Sequence, residues 1–243
     1  MNEQTKQTDL NELVAWAETW QMDFNESKCV HMRMGNKVEP RYRYTLKSHV
    51  IEKCTSQKDL GVTVRNDFSP SDHIANIIKS AYGKIGTIKR CFTNLTKKKV
   101  QTLYTTIIRA GLEYASTVWN TKEQQHIKSL EKVQRRCLRL SYGQPLLQTL
   151  EERRHITDMV DTFKYVHQIY KPKAELLFKM DKRGVALRGH KSRMMKIRSR
   201  TAVRQQFLTN RVVNCWNNLP DEVVSAPSVN ELKKFFQNKD GPN

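Results

Sequence analysis

No run of apolar residues approaches the roughly 18 that a membrane-spanning helix needs, so no membrane span is expected. The opening stretch MNEQTKQTDLNE has no basic segment followed by an apolar one, so no secretory leader is expected and the predicted location is intracellular, cytoplasm or nucleus. Cysteine is scarce: five residues, 29, 54, 91, 137 and 215, are odd in number and widely spaced. That argues against a disulfide framework and for a reducing compartment. Neither GxxxxGK[ST] nor GxGxxG occurs, which excludes the common phosphate-loop and dinucleotide-binding enzymes. No strand-like segment carries an adjacent Asp-Asp pair, and Asp59 and Asp67 stand alone. A two-metal phosphoryl-transfer site needs clustered carboxylates and is not expected within this chain.

Acidic residues are also few. Asp and Glu number 24 against 43 Lys and Arg in 243 residues, a formal charge of +19. Such an excess points to a polyanionic partner, nucleic acid before an anionic membrane surface. The charge is uneven. Residues 1–27 carry six acids and one lysine. Residues 79–99 carry Lys79, Lys84, Lys89, Arg90, Lys97, Lys98 and Lys99 and no acid. Residues 171–211 carry thirteen Lys or Arg against Glu175 and Asp181.

Periodicity divides the chain into zones. Leu10, Leu13, Val14, Ala17 and Trp20 recur at helical spacing, so a helix is predicted over about 9–26, capped by Thr8 or Asp9. Val30, Met32 and Met34 alternate with His31 and Arg33. A Gly35-Asn36 turn follows, then Tyr42, Tyr44 and Leu46, then Val50-Ile51, then Leu60 to Val64. These read as strands of one small antiparallel sheet with the first helix on one face. From about 70 the pattern becomes helical. Ile74, Ile77, Ile78, Ala81, Ile85 and Ile88 form one apolar face. Val100, Leu103, Tyr104, Ile107 and Ile108 form a second. Ile127, Leu130, Val133 or Gln134, Cys137 and Leu138 form a third, with Lys128, Lys132, Arg135, Arg136 and Arg139 outside and an end at Gly143 and Pro145. A further helix runs from Leu150 to Ile169, closed by Pro172. The basic stretch to about 203 has weak periodicity and little to bury, so poor order is expected near 172–203. Order returns with Phe207, Val212, Val213, Trp216 and Leu219 and a last helix around Val229 to Phe236. The expected class is α+β, in three parts: 1–67 sheet and helix, 68–143 helical, 144–243 basic and mostly helical.

Candidate chemistry is thin. Cys29, His31, His49 and Cys54 offer four zinc ligand types, but not at the spacing of a finger or knuckle. No metal site is expected. His126, His155, His167 and His190 read as surface residues, and Tyr82, Phe92, Tyr104 and Trp119 mostly as core. By residue type the chain is a binder rather than a catalyst.

An ordered set of short motifs says more. Leu13-x-x-Trp16, Trp20-Gln21-Met22-x-Phe24-Asn25-x-x-Lys28-Cys29, Lys58-Asp59-Leu60-Gly61-Val62 and His73-Ile74 occur in that order. Leu103-Tyr104, Leu112-Glu113-Tyr114, Val118-Trp119 and Leu130 to Arg136 follow. Leu150-Glu151-Glu152-Arg153-Arg154, Arg188-Gly189-His190 and Arg211-Val212-Val213-x-x-Trp216-Asn217-x-Leu219-Pro220 complete the set. Together they resemble the reverse transcriptase of non-LTR retrotransposons of the LINE type, jockey-like branch, over nearly the whole chain.

The resemblance implies roles. Trp20 to Cys29 is similar to polymerase motif D, with Lys28 as the lysine that would steady leaving pyrophosphate. Asp59 to Val62 is similar to motif E, the primer grip, with Leu60 and Gly61 against primer phosphates. Residues 68–143 would be the thumb. The fingers and the palm motifs with the catalytic aspartates would precede residue 1, so this chain is expected to be inactive alone, without cofactor, the Mg²⁺ belonging to the complete polymerase. Expected partners are RNA and RNA–DNA or DNA duplex, gripped by the phosphate backbone, and the missing fingers and palm. The contact residues would be Lys79, Lys84, Lys89, Arg90, Lys97, Lys98, Lys99, Lys132, Arg135, Arg136, Arg139, Arg188, Lys191 and Arg193. A non-catalytic nucleic-acid-binding module retained by a host is the alternative.

Overall fold

The structure is a computed structural model that describes residues 3–35, 43–141, 147–172, 174–181 and 189–239. It is of mixed α+β character and divides into two compact units, Met1–Asp72 and His73–Asn243, where the sequence suggests three parts.

In the first unit, α1 spans Glu3–Thr19, starting and ending earlier than its apolar residues suggest. Its small apolar contact is Ala17, which is buried, while Leu13, Trp16 and Trp20 are exposed. The Gln7 side chain does part of the docking. Its Nε2 donates to Thr45 O at 2.9 Å and its Oε1 accepts from Thr45 N at 3.0 Å, so the amide pairs with the strand as another strand would. Among the described residues the expected single antiparallel sheet is instead three two-stranded pairings. β1 (Val30–His31) pairs in parallel with β4 (Glu52–Lys53), and β2 (Thr45–Leu46) pairs antiparallel with β3 (His49–Val50). β5 (Ser56–Asp59) pairs antiparallel with β6 (Val62–Arg65). Tyr44, Leu46 and Val62 are buried as Ala17 is. The Asn36 and Tyr42 positions of the expected strands lie outside the described residues.

Leu60 and Gly61 are not strand residues. They form the two-residue turn of the β5–β6 hairpin, with φ of 44° and 87°. Positive φ at both central positions is the turn whose twist matches the strands it joins. Glycine accepts that conformation freely, while a leucine does so at a cost of order 1–3 kcal/mol. Leu60 sits at the tip, 85% exposed.

In the second unit, α2 (Ser71–Cys91) buries Ile74, Ala81, Ile85 and Ile88, four of the six residues on its expected face. Thr96 caps α3 (Lys97–Leu103) by accepting from Lys99 N. The helix then widens into a π-helical stretch, Tyr104–Arg109, before α4 (Ala110–Glu113). In a π turn hydrogen bonds run from i to i+5, which alters the helical register. Tyr104, Ile108 and Leu112 therefore line up inward, and Ile107, expected inside, is exposed. After α5 (Ser116–Trp119), α6 (Gln124–Leu138) buries Ile127, Leu130, Val133, Gln134, Cys137 and Leu138. Gln134 is tolerated there because it accepts from the Tyr104 hydroxyl and donates to Gln148 O at 3.2 Å. The expected end at Gly143 and Pro145 lies outside the described residues.

Helix α7 (Leu150–Val166) starts with a full capping box between Thr149 and Glu152. It joins the helices before it to the chain after it, which is why residues 144–243 do not separate from 73–143. Toward the former, Leu150 is buried and Arg153 pairs with Glu113. Toward the latter, Met159, Val160 and Phe163 enter a core with Phe178, Met194, Val212, Val213, Trp216 and Leu232. Short helices α8 (Ala174–Leu177), α9 (Ala202–Gln206), α10 (Leu208–Arg211), α11 (Val213–Asn217) and α12 (Asp221–Val224) lead to α13 (Val229–Lys239).

The basic stretch buries more than its pattern suggests. Phe178, His190 and Met194 are buried, Met180 and Met194 form an isolated antiparallel bridge, and Asn217 clasps Met194 through both backbone groups. His190, expected at the surface, is 2% exposed. Its Nε2 lies 2.9 Å from Trp216 O. Residues 182–188 lie outside the described residues.

Candidate nucleic-acid interface

Helices α2 and α6 expose a cationic face with aromatic side chains in it. On α2, positions 79, 82, 86 and 89 are spaced three or four apart and share a side. Lys79, Tyr82 and Lys89 are exposed there, and Arg90 is adjacent. On α6 and at its C-cap, Lys128, Lys132, Arg135, Arg136 and Arg139 are exposed on the side away from the core. Cations at the C-terminal turn also suit the helix dipole, which accounts for part of the Arg135–Arg139 cluster without any ligand.

Two adjoining hollows lie between these helices, sharing Tyr82, Arg136 and Arg139. The larger, about 600 Å³, is also lined by Gly86, Lys89 and Phe92. The smaller, about 470 Å³, adds Lys132 and Arg135. No carboxylate is among the described residues that line either one. The groove is therefore positive, water-accessible and floored partly by apolar groups. Tyr104 and Trp119 are core, as expected, but Tyr82 and Phe92 are 37% and 47% exposed at this groove.

The other expected contact residues scatter. Lys84 sits on another side of α2 and donates to Ile107 O at 3.3 Å, so it braces the π-helical stretch. Lys97, Lys98 and Lys99 are exposed in the first turn of α3. Lys191 is exposed, Arg193 is half-buried with its guanidinium over Gly189, and Arg188 lies outside the described residues. Lys28 is exposed in a short 3₁₀ turn, Glu26–Lys28, and Leu60 and Gly61 form the hairpin tip of the other unit.

The second unit also holds a buried polar cluster that the sequence pattern does not announce. Arg211 and Asp158 form a bidentate pair, Nε to Oδ2 at 2.7 Å and Nη2 to Oδ1 at 2.6 Å, with side chains 5% and 4% exposed. Arg211 also donates to Gln206 O and Thr117 O, and Asn120 donates to Asp158 at 3.0 Å. Arg154, 1% exposed, donates through Nε to Asn120 and lies 5.8 Å from the Trp119 ring centroid. Burial pushes its guanidinium below the usual range, opposed by Glu131, Glu151, Glu113 and Asp158. Burial likewise pushes the half-buried Glu131 carboxyl up. The only sequence signal for this cluster is the Arg153-Arg154 and Arg211 motif residues, which periodicity alone places on a surface.

Among the described residues no three His, Cys, Asp or Glu side chains gather as ligands.

No known family profile matches the chain, nor does any solved structure. Among curated proteins it is 24% identical over 133 residues to the RNA-directed DNA polymerase from mobile element jockey of Drosophila melanogaster. It is 22% identical over 133 residues to the polymerase of the same name from Drosophila funebris. Each match takes in 54% of this chain and 14% of the relative's length.

Proposed function

We propose that this chain, a relative of the reverse transcriptases of non-LTR retrotransposons, is a nucleic-acid-holding part of such a polymerase and not its catalytic centre. The observation that carries the reading is the groove between α2 and α6. Several cations face one open channel there, and no acid lines it among the described residues. Phosphates entering it would meet Lys89, Lys132, Arg135, Arg136 and Arg139 and release their counterions, giving affinity without base selectivity. Its ligand on this reading is RNA, or an RNA–DNA or DNA duplex, held by the backbone. An A-form-like hybrid suits recognition by shape and phosphate.

The first unit would present the Leu60–Gly61 tip to a primer strand and Lys28 to a departing phosphate. A hairpin tip with a strained, exposed leucine suits a contact role better than a packing one. The metal-binding carboxylates would come from a polypeptide segment bearing the polymerase palm. Exposed Trp16, Trp20 and Met22 offer that segment an apolar surface. The test is primer extension beside binding. The purified chain should bind an RNA–DNA hybrid yet incorporate no nucleotide with Mg²⁺ or Mn²⁺. Template-dependent incorporation above a no-protein control would overturn the non-catalytic reading, and failure to bind any nucleic acid at low salt would overturn the binding one.

A further inference from the structure

We infer that the groove between α2 and α6 takes unpaired nucleotides, with bases lying against Tyr82 and Phe92 and their phosphates on Lys89, Arg136 and Arg139. This rests on the nucleic-acid reading above and names the form of nucleic acid that the groove suits. A duplex gripped by its backbone needs cations alone. This groove has more: two of the three exposed aromatic rings among the described residues of this unit, Tyr82 and Phe92, line the same hollow as the cations, the third being Tyr114. Aromatic faces interleaved with cations are what single strands bind, because every base has a face to stack and every linkage a phosphate to neutralise. The hollow, about 600 Å³, falls within the usual size range of small-ligand sites.

Tyr82 and Phe92 are ten positions apart, a backbone rise of roughly 15 Å along a helix axis. At that spacing each ring serves as a platform of its own. Between them Gly86 lines the groove without a side chain to obstruct it. The fold does not demand glycine there. A Cβ at Gly86 would meet only Arg90 Nη1, at 3.6 Å, an ordinary contact. The helix therefore carries a glycine that weakens it, at a position where an incoming strand would pass.

The experiment compares three probes of equal phosphate number by fluorescence anisotropy over a range of salt: an oligo-dT single strand, an all-abasic single strand and a blunt RNA–DNA hybrid. The single strand with bases should bind at least about fivefold more tightly than the abasic strand, the lower end of the effect of one stacked base. Tyr82→Leu with Phe92→Leu should remove most of that difference while leaving the salt slope unchanged, since no charge is altered. Tyr82→Phe with Phe92→Tyr should retain it, which separates stacking from a fold defect. Equal affinity for the abasic and base-bearing strands, or a double leucine variant that keeps the preference, would overturn the inference while phosphate binding stood. If none of the three probes binds with salt dependence, the nucleic-acid reading itself fails, and this inference with it.

Discussion

Replacing Arg211 by Met would leave the Asp158 carboxylate buried without its bidentate partner. Both side chains are at most 5% exposed and meet at 2.6 and 2.7 Å, so little water can take the place of the guanidinium. Breaking such a pair from one side costs about 3–5 kcal/mol, because the remaining charge stays desolvated. Two further acceptors, Gln206 O and Thr117 O, lose their donor in the same substitution, which pushes the expected cost toward the upper end. For a unit of this size each kcal/mol shifts the midpoint by roughly 2–4 °C, so a fall of about 6–20 °C is expected by differential scanning calorimetry. The double variant Asp158→Leu with Arg211→Met removes both charges and should lose clearly less than the sum of the two single changes. The reasoning is refuted if Arg211→Met costs under about 1 kcal/mol, or if the two substitutions prove additive.

Other outcomes follow from burial and charge. Cys137 is 1% exposed and burial pushes its thiol up to about 11, whereas Cys91 and Cys215 are exposed. An alkylating reagent at pH 8 should label Cys91 and Cys215 in the native chain and reach Cys137 only on unfolding, as read by peptide mass mapping. His31 has its pKa lowered by burial and then by Lys6, Lys53 and Arg33. The unfolded chain then binds the proton more readily than the folded one. The contribution of His31 is thus full above about pH 6.5 and is lost as pH falls toward the folded pKa. Urea unfolding of His31→Gln between pH 7.5 and 5.5 should show a smaller loss of stability than the parent chain.

What the sequence reveals and what it hides differ for physical reasons. The faces of α2 and α6 are legible because a single 3.6-residue period runs through each, and their buried residues match it closely. The run after α3 misleads at Ile107 because a π-helical stretch alters that period, and nothing local announces it. The parallel pairing of Val30–His31 with Glu52–Lys53 joins segments that no short turn connects, so no turn signal marks it. The Leu60–Gly61 turn looks like continuous strand in the sequence because leucine is an unusual residue at positive φ. The basic character of the groove is visible in Lys89, Lys132, Arg135, Arg136 and Arg139. Its aromatic character is not, since exposed Tyr82 and Phe92 look in a sequence like any other core aromatics. Burial of Arg154, Asp158 and Arg211 depends on three helices meeting, which a period cannot report.

The most direct test of nucleic-acid binding at this groove is its salt dependence in two variants, Arg135, Arg136 and Arg139→Ala on α6 and Lys97, Lys98 and Lys99→Ala on α3. With the RNA–DNA hybrid and with the oligo-dT strand alike, log affinity should fall linearly with log salt for the parent chain. Each cation–phosphate pairing removed should reduce the slope by roughly 0.9, so the α6 variant should lose up to about 2.7 of it with a uniform drop in affinity. The α3 variant should lose slope only to the extent that its exposed lysines reach the same strand. An α6 variant with unchanged slope and affinity for both probes would contradict the assignment of this groove to nucleic acid.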